Sequence, residues 1–170
     1  MFGCASGGQN ASPLHLPSDF QQYGGEDRAG GLMVSYNYIP SKLPELIPGL
    51  SFGYSATVDV ASGSNDGFQS MRVAEFFGNT TKSSSTLSSV SNQSTRTRLI
   101  GKHNVEQLDA VVVTHDEQGT TMPEHTRIYW INTNGKILYV VIRSGFPDEK
   151  IQDYVPEIGL KVEEAISKMN

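Results

Sequence analysis

Apolar and polar residues alternate with a period of two over several stretches of the chain, the signature of strands that bury one face. Leu32, Val34, Tyr36 and Tyr38 form the first set, and Pro40 ends it. Phe52, Tyr54, Ala56, Val58 and Val60 form the second. Between them Leu43, Leu46 and Ile47 fall at helical spacing behind a capping Ser41, but Pro44 and Pro48 limit any helix to about two turns. The second alternation runs into Ser64-Asn65-Asp66-Gly67, and Asp-Gly marks a reverse turn because glycine takes positive φ without a Cβ clash. Phe68 to Phe77 resumes extended character, so a hairpin is predicted there.

The second half of the chain predicts strands over Leu108 to Thr114, Thr126 to Asn132 and Lys136 to Arg143. The last two are joined through Asn134-Gly135, the preferred dipeptide of a two-residue hairpin turn. Ile128 and Trp130 point one way along this hairpin, and Tyr129 and Ile131 the other. Leu138, Val140 and Ile142 likewise oppose Ile137, Tyr139 and Val141. Strands apolar on both faces belong inside a sheet with a layer on each side. One layer follows directly. Ile151, Tyr154, Val155, Ile158, Val162, Ala165, Ile166 and Met169 recur at spacings of three and four, with Glu157, Lys161, Glu163, Glu164 and Lys168 on the opposite face. Pro147 is placed to open this helix, and Pro156 predicts a kink followed by a main helix from Pro156 to Met169. The expected class is α+β: an antiparallel β-sheet flanked by a C-terminal amphipathic helix and a short N-terminal helix, an α/β/α sandwich-like arrangement.

Two segments lack this patterning. Residues 1–30 show no sustained periodicity and read as a flexible leash that begins to dock near Phe20 and Tyr23, leaving residues 31–170 as a single domain. Thr80 to Thr97 crowds serines and threonines around Leu87 and Val90 alone, and reads as a long Ser/Thr-rich loop. Such a loop is either a solvated surface or a partner-contacting one. In the second case Ser84, Ser85, Thr86, Ser88, Ser89 and Ser91 are the contact candidates. Asn79 and Asn92 stand in Asn-x-Ser/Thr frames, as does Asn10, which agrees with exposure.

A net charge of −5 leaves no basic footprint for a phosphate backbone, so nucleic-acid binding is not expected. No apolar stretch reaches the roughly 20 residues of a spanning helix. The chain holds a single cysteine, so no internal disulfide forms. That cysteine, Cys4, sits in Gly3-Cys4-Ala5-Ser6-Gly7-Gly8, which resembles the maturation site of a bacterial lipoprotein. The resemblance implies a removed signal peptide, a lipid on Cys4, and a cell-envelope protein on the periplasmic or outer-membrane face whose only membrane attachment is that anchor. A second resemblance rests on Arg127 to Ser144, then Ile151-Gln152-Asp153-Tyr154-Val155-Pro156 and the helix through Lys168, which is similar to the closing segment of the PsbP-like family of α/β/α sandwiches. That family implies a non-catalytic module that docks onto other proteins, here another envelope protein.

Candidate chemistry is sparse. His115-Asp116-Glu117 and Glu124-His125 flank Gly119-Thr120-Thr121, and could bring imidazoles and carboxylates to a metal-dependent hydrolytic site, although the segment equally fits a polar connection between Val113 and Thr126. Gly49-Leu50-Ser51-Phe52-Gly53 matches the nucleophile-elbow spacing, but the order of turn before serine and strand after it is reversed. No cofactor motif is present. The sequence therefore points away from an enzyme and toward a lipid-anchored, protein-binding envelope protein, with an immunity or inhibitor protein against a toxin or hydrolase as the alternative.

Overall fold

The computed structural model describes residues 12–28, 31–39, 55–64, 67, 70–82, 87–115, 121–133, 135–145 and 153–170. Seven strands form one antiparallel sheet: β1 (Phe20–Arg28), β2 (Gly31–Tyr38), β3 (Ser55–Gly63), β4 (Leu87–Ile100), β5 (His103–His115), β6 (Thr121–Thr133) and β7 (Lys136–Gly145). Their order is β1-β2-β3-β7-β6-β5-β4. Each half of the chain is thus a meander, and the halves are joined where β7 lies along β3, with Val58 opposite Ile142 and Val60 opposite Val140. Helix α1 (Val73–Lys82) follows β3, and α2 (Val155–Ser167) follows β7.

The β6–β7 hairpin forms as its turn chemistry requires. Gly135 has φ +76°, and Thr133 pairs with Lys136. Both of its faces are buried: Val140 and Val141 are 0 and 6 % exposed. Helix α2 covers the first face, packing Ile158, Val162, Ala165 and Ile166 against Tyr129, Ile131, Val140 and Ile142. Helix α1 covers part of the second, with Val73 and Phe77 among Leu108, Val112, Ile128, Trp130 and Val141.

The α/β/α sandwich-like class is nevertheless overturned. Among the described residues strands predominate, and the two helices seen there, of 10 and 13 residues, lie against them. The fold is dominated by its sheet, because one short helix per face cannot roof seven strands. The expected short helix around Leu43 to Ile47 lies outside the described residues. The helix that is seen on the second face occupies Val73–Lys82, in the segment where extended chain and a hairpin were expected. Phe76 and Phe77 mimic a strand, but Val73 and Phe77 at i, i+4 carry the buried side. The Arg72 amide donates to Glu75 Oε2 at 3.2 Å and caps the first turn, and Thr80 and Thr81 return their hydroxyl protons to the carbonyls of Phe76 and Phe77.

Three further expectations are corrected. The domain begins well inside residues 1–30: Leu14 is 1 % exposed, Phe20 is buried, and β1 pairs with β2. The Ser/Thr-rich stretch is not a loop from 80 to 97. Its start closes α1, and Leu87–Ile100 is a strand of 14 residues on the edge of the sheet. Backbone pairing to β5 holds it, and that pairing does not require apolar side chains. At the C-terminus, Pro156 stands in the first turn of α2, where a missing N–H costs nothing, so it starts the helix and does not kink it. The Val155 amide donates to Asp153 Oδ1 at 2.9 Å and the Tyr154 amide to Ser144 Oγ at 3.3 Å.

Candidate functional site

Strand alternation and register gather a polar group on the α1 side of the sheet. Ser35 on β2 lies opposite Asp59 on β3, Arg143 on β7 lies opposite both Thr57 and Thr126, and Glu124 is two residues from Thr126 along β6. Ser35 Oγ donates to Asp59 Oδ1 at 2.6 Å. Arg143 stands between two carboxylates: Nη1 donates to Asp59 Oδ2, and Nε is 3.7 Å from Glu124 Oε1. Burial pushes the Glu124 carboxyl above its usual range, the Arg143 charge opposes that shift, and the Asp59 charge adds to it. The Thr126 hydroxyl exerts a weak pull toward the ionised form of Glu124 but is outside hydrogen-bonding geometry. Thr126 is 4 % exposed, and its Oγ1 is the one buried side-chain polar atom among the described residues without a hydrogen-bond partner.

Asp59, Glu124, Thr126 and Arg143 edge a cleft of about 450 Å³ between α1 and the sheet. Its apolar lining comes from Phe76 and Phe77 of α1 and from Val112, Ile128, Tyr139 and Val141 of the sheet. Phe76 packs against Trp130 and Tyr139 with ring centroids 5.2 and 5.1 Å apart. The helix therefore stands on an aromatic cluster at one place and leaves space beside it.

A second candidate surface is the outer edge of β4. No described strand pairs with it. The strand carries irregularities between Leu87 and Ser89 and between Ser91 and Ser94, the second with Asn92 at φ 51°, and runs in unbroken register from Ser94 to Ile100. It turns into β5 through Gly101, whose φ of +58° suits the first position of a type II′ turn. In such a hairpin the closing pair, Ile100 and His103, is hydrogen-bonded, so the backbone groups of Thr95, Thr97 and Leu99 point away from β5.

Of the sequence-predicted contact residues, Ser88, Ser89 and Ser91 lie on β4, within or beside its irregular half. Ser84, Ser85 and Thr86 lie outside the described residues, as do Cys4, Asn10 and Ser51. Asn79 and Asn92 are exposed. The structure separates the two histidines proposed for a metal. Val111 faces His125 across β5 and β6, whereas His115 faces Thr121, so about 13 Å of strand divides them at about 3.3 Å per residue. His125 Nδ1 is 2.8 Å from Asp153 Oδ2, and Ser144 is opposite His125 on β7. This resembles a catalytic triad in composition only, because Ser144 is 0 % exposed and its oxygen is committed to the Tyr154 amide. Among the described residues no three His, Cys, Asp or Glu side chains converge as metal ligands, and no helix is long and apolar enough to cross a membrane.

The cleft residues were missed because Asp59 and Glu124 read as ordinary solvent-facing positions of alternating strands. The available signal was Arg143, a charge inside a strand otherwise apolar on both faces.

No sequence-family model and no curated protein matches the chain. Among solved structures, a Pseudomonas aeruginosa protein of unknown function, PA94, for which a regulatory role has been suggested, is 11% identical over 90% of this chain and 97% of its own, with a TM-score of 0.48. LpqN of Mycobacterium tuberculosis, involved in cell envelope biogenesis, is 13% identical over 95% of this chain and 84% of its own, with a TM-score of 0.40. At these identities and TM-scores neither similarity carries a setting or site residues across, and neither bears on the PsbP-like resemblance or on lipid attachment at Cys4.

Proposed function

We propose that this chain is a non-catalytic binding module of the cell envelope, held by lipid at Cys4, that pairs its edge strand β4 with an extended segment of another protein. The observation that carries this reading is the conversion of the Ser/Thr-rich stretch into a long edge strand. Main-chain groups on such an edge supply affinity by strand addition, and side chains of alternate residues supply selectivity. The irregular half of β4, around Ser88 and Asn92, is a poor template, since an extra residue twists the edge away. The regular half offers Thr95, Thr97 and Leu99, the last 67 % exposed, with Arg96 exposed on the opposite face. An incoming strand with an apolar residue for Leu99 and an acidic one for Arg96 suits it. An immunity or inhibitor protein would use the same edge, and the identity of the captured protein distinguishes the two.

The test uses the full gene in its own host, with a photo-crosslinking residue in place of Leu99. A discrete heterologous adduct is expected, and Thr97→Pro, which removes one outward N–H without touching the β5 ladder, should abolish it with little change in melting temperature. An adduct that survives Thr97→Pro, or that contains only a second copy of this chain, refutes the reading. Mass spectrometry of the same material should find a lipid adduct on Cys4, and an unmodified cysteine removes the anchor.

A further inference from the structure

The cleft beside α1 has the dimensions and chemistry of a small-molecule site, and its polar lining is unbalanced. A volume of about 450 Å³ falls within the range of about 300–1,000 Å³ typical of ligand pockets. Two carboxylates, Asp59 and Glu124, meet one guanidinium, Arg143. Arg143 is already held between them, so an anionic ligand would have to displace an internal partner. The hydroxyl groups strengthen the same bias. Thr81 commits its proton to the carbonyls of Phe77 and Gly78 at 2.9 and 3.1 Å, so it offers the cleft an oxygen acceptor. Thr126 adds an oxygen that is buried and unsatisfied, a state that costs free energy unless a partner arrives. The lining therefore sets two carboxylates against one guanidinium and adds hydroxyl oxygens from Thr81 and Thr126, beside aromatic and aliphatic walls.

We propose that this cleft binds a small amphiphilic cation, with its ammonium group on Glu124 and Thr126 and its apolar part along Phe76, Tyr139 and Val141. An ammonium group supplies three donors and a positive charge, to set against the Glu124 carboxylate and the Thr126 oxygen. A carboxylate or phosphate head would face Glu124 and Asp59 and be repelled. A neutral alcohol could satisfy Thr126 but would leave the excess charge uncompensated.

Trp130 provides the readout, since it is the only tryptophan and its ring lies 5.9 Å from Tyr139 and 5.2 Å from Phe76, both of which line the cleft. The experiment titrates the full 170-residue chain with n-octylammonium, following Trp130 fluorescence and heat by calorimetry, with n-octanoate and n-octanol as probes of equal tail length. Saturable binding of octylammonium is expected, with octanol weaker and octanoate undetected. Glu124→Gln and Thr126→Val should each weaken octylammonium about tenfold or more, the loss of a hydrogen bond to a charged group. Thr126→Val should leave the melting temperature of the ligand-free chain unchanged or raised, because it removes an unsatisfied hydroxyl and no hydrogen bond. A Thr126 of purely structural value would give the reverse, a lowered melting temperature with unaltered binding. Absence of saturable binding by calorimetry, octanoate or octanol binding as tightly as the amine, or unchanged affinity in both variants overturns the proposal.

Discussion

Replacing Tyr129 with Phe deletes one oxygen from a side chain that is 0 % exposed, and the structure sets the size of the effect. The hydroxyl donates to Glu163 Oε1 on α2 at 2.7 Å, and the Gly159 carbonyl at 3.5 Å is too far to replace it. Glu163 also receives the Arg98 guanidinium from β4. Arg98 Nη1 reaches Gln107 Oε1 at 3.4 Å, Gln107 Nε2 donates to Asp109 Oδ2 at 2.6 Å, and Arg127 Nε donates to Asp109 Oδ1 at 2.5 Å. Tyr129 thus fixes α2 to a polar relay that crosses β4, β5 and β6. A hydrogen bond to a charged acceptor contributes about 1.5–3 kcal/mol. For a chain of this size that is a fall of about 3–12 °C in melting temperature. Burial first, and the Glu163 carboxylate second, push the Tyr129 phenol well above its usual range, against an opposing pull from Arg127. A phenol whose pKa is raised by folding contributes fully below the unfolded value of about 10 and loses that contribution as pH rises toward the folded value. Urea unfolding followed by Trp130 fluorescence should show a constant gap between the two proteins up to about pH 9.5. The gap should then shrink by about 1 kcal/mol from pH 10 to 11, while the alkaline response of Tyr154, which is also shifted upward by burial, is common to both and cancels. A gap under about 0.5 kcal/mol at pH 8, or one that is level through pH 11, refutes the role assigned to the relay.

Three other outcomes follow from packing. Ile158→Ala empties a position that is 0 % exposed between α2 and the sheet, and should cost about 2–5 kcal/mol in denaturant unfolding. Gly31→Ala places a Cβ 2.1 Å from the Ser62 carbonyl oxygen, a backbone atom that cannot swing aside; about 1–3 kcal/mol should be lost, with exchange protection falling first along β2 and β3. Asp153→Ala removes the acceptor of the Val155 amide and should destabilise α2 by about 0.5–2 kcal/mol, visible as reduced helical ellipticity before global unfolding.

The β6–β7 hairpin and helix α2 were legible in the sequence because their signals are local. Asn134-Gly135 fixes a turn whatever surrounds it, and the stripe from Tyr154 through Ile166 forms a single face by helical geometry alone. Both faces of the hairpin are apolar in the sequence and buried in the structure for the same reason. Segments without a strong local signal were decided elsewhere. Leu87–Ile100 has too few apolar residues to announce a strand and becomes one because β5 offers its backbone a partner. Val73–Lys82 holds Gly78, Asn79, Thr80 and Thr81, which are poor helix formers, and becomes a helix because Val73 and Phe77 find Leu108, Val112 and Ile128 beneath them. Asp59, Glu124, Thr126 and Arg143 come from three strands, and no spacing along the chain relates them. Period-two alternation assigns each to a face, but the strand order that puts β7 between β3 and β6 makes them neighbours, and that order arises from long-range pairing that local sequence does not encode.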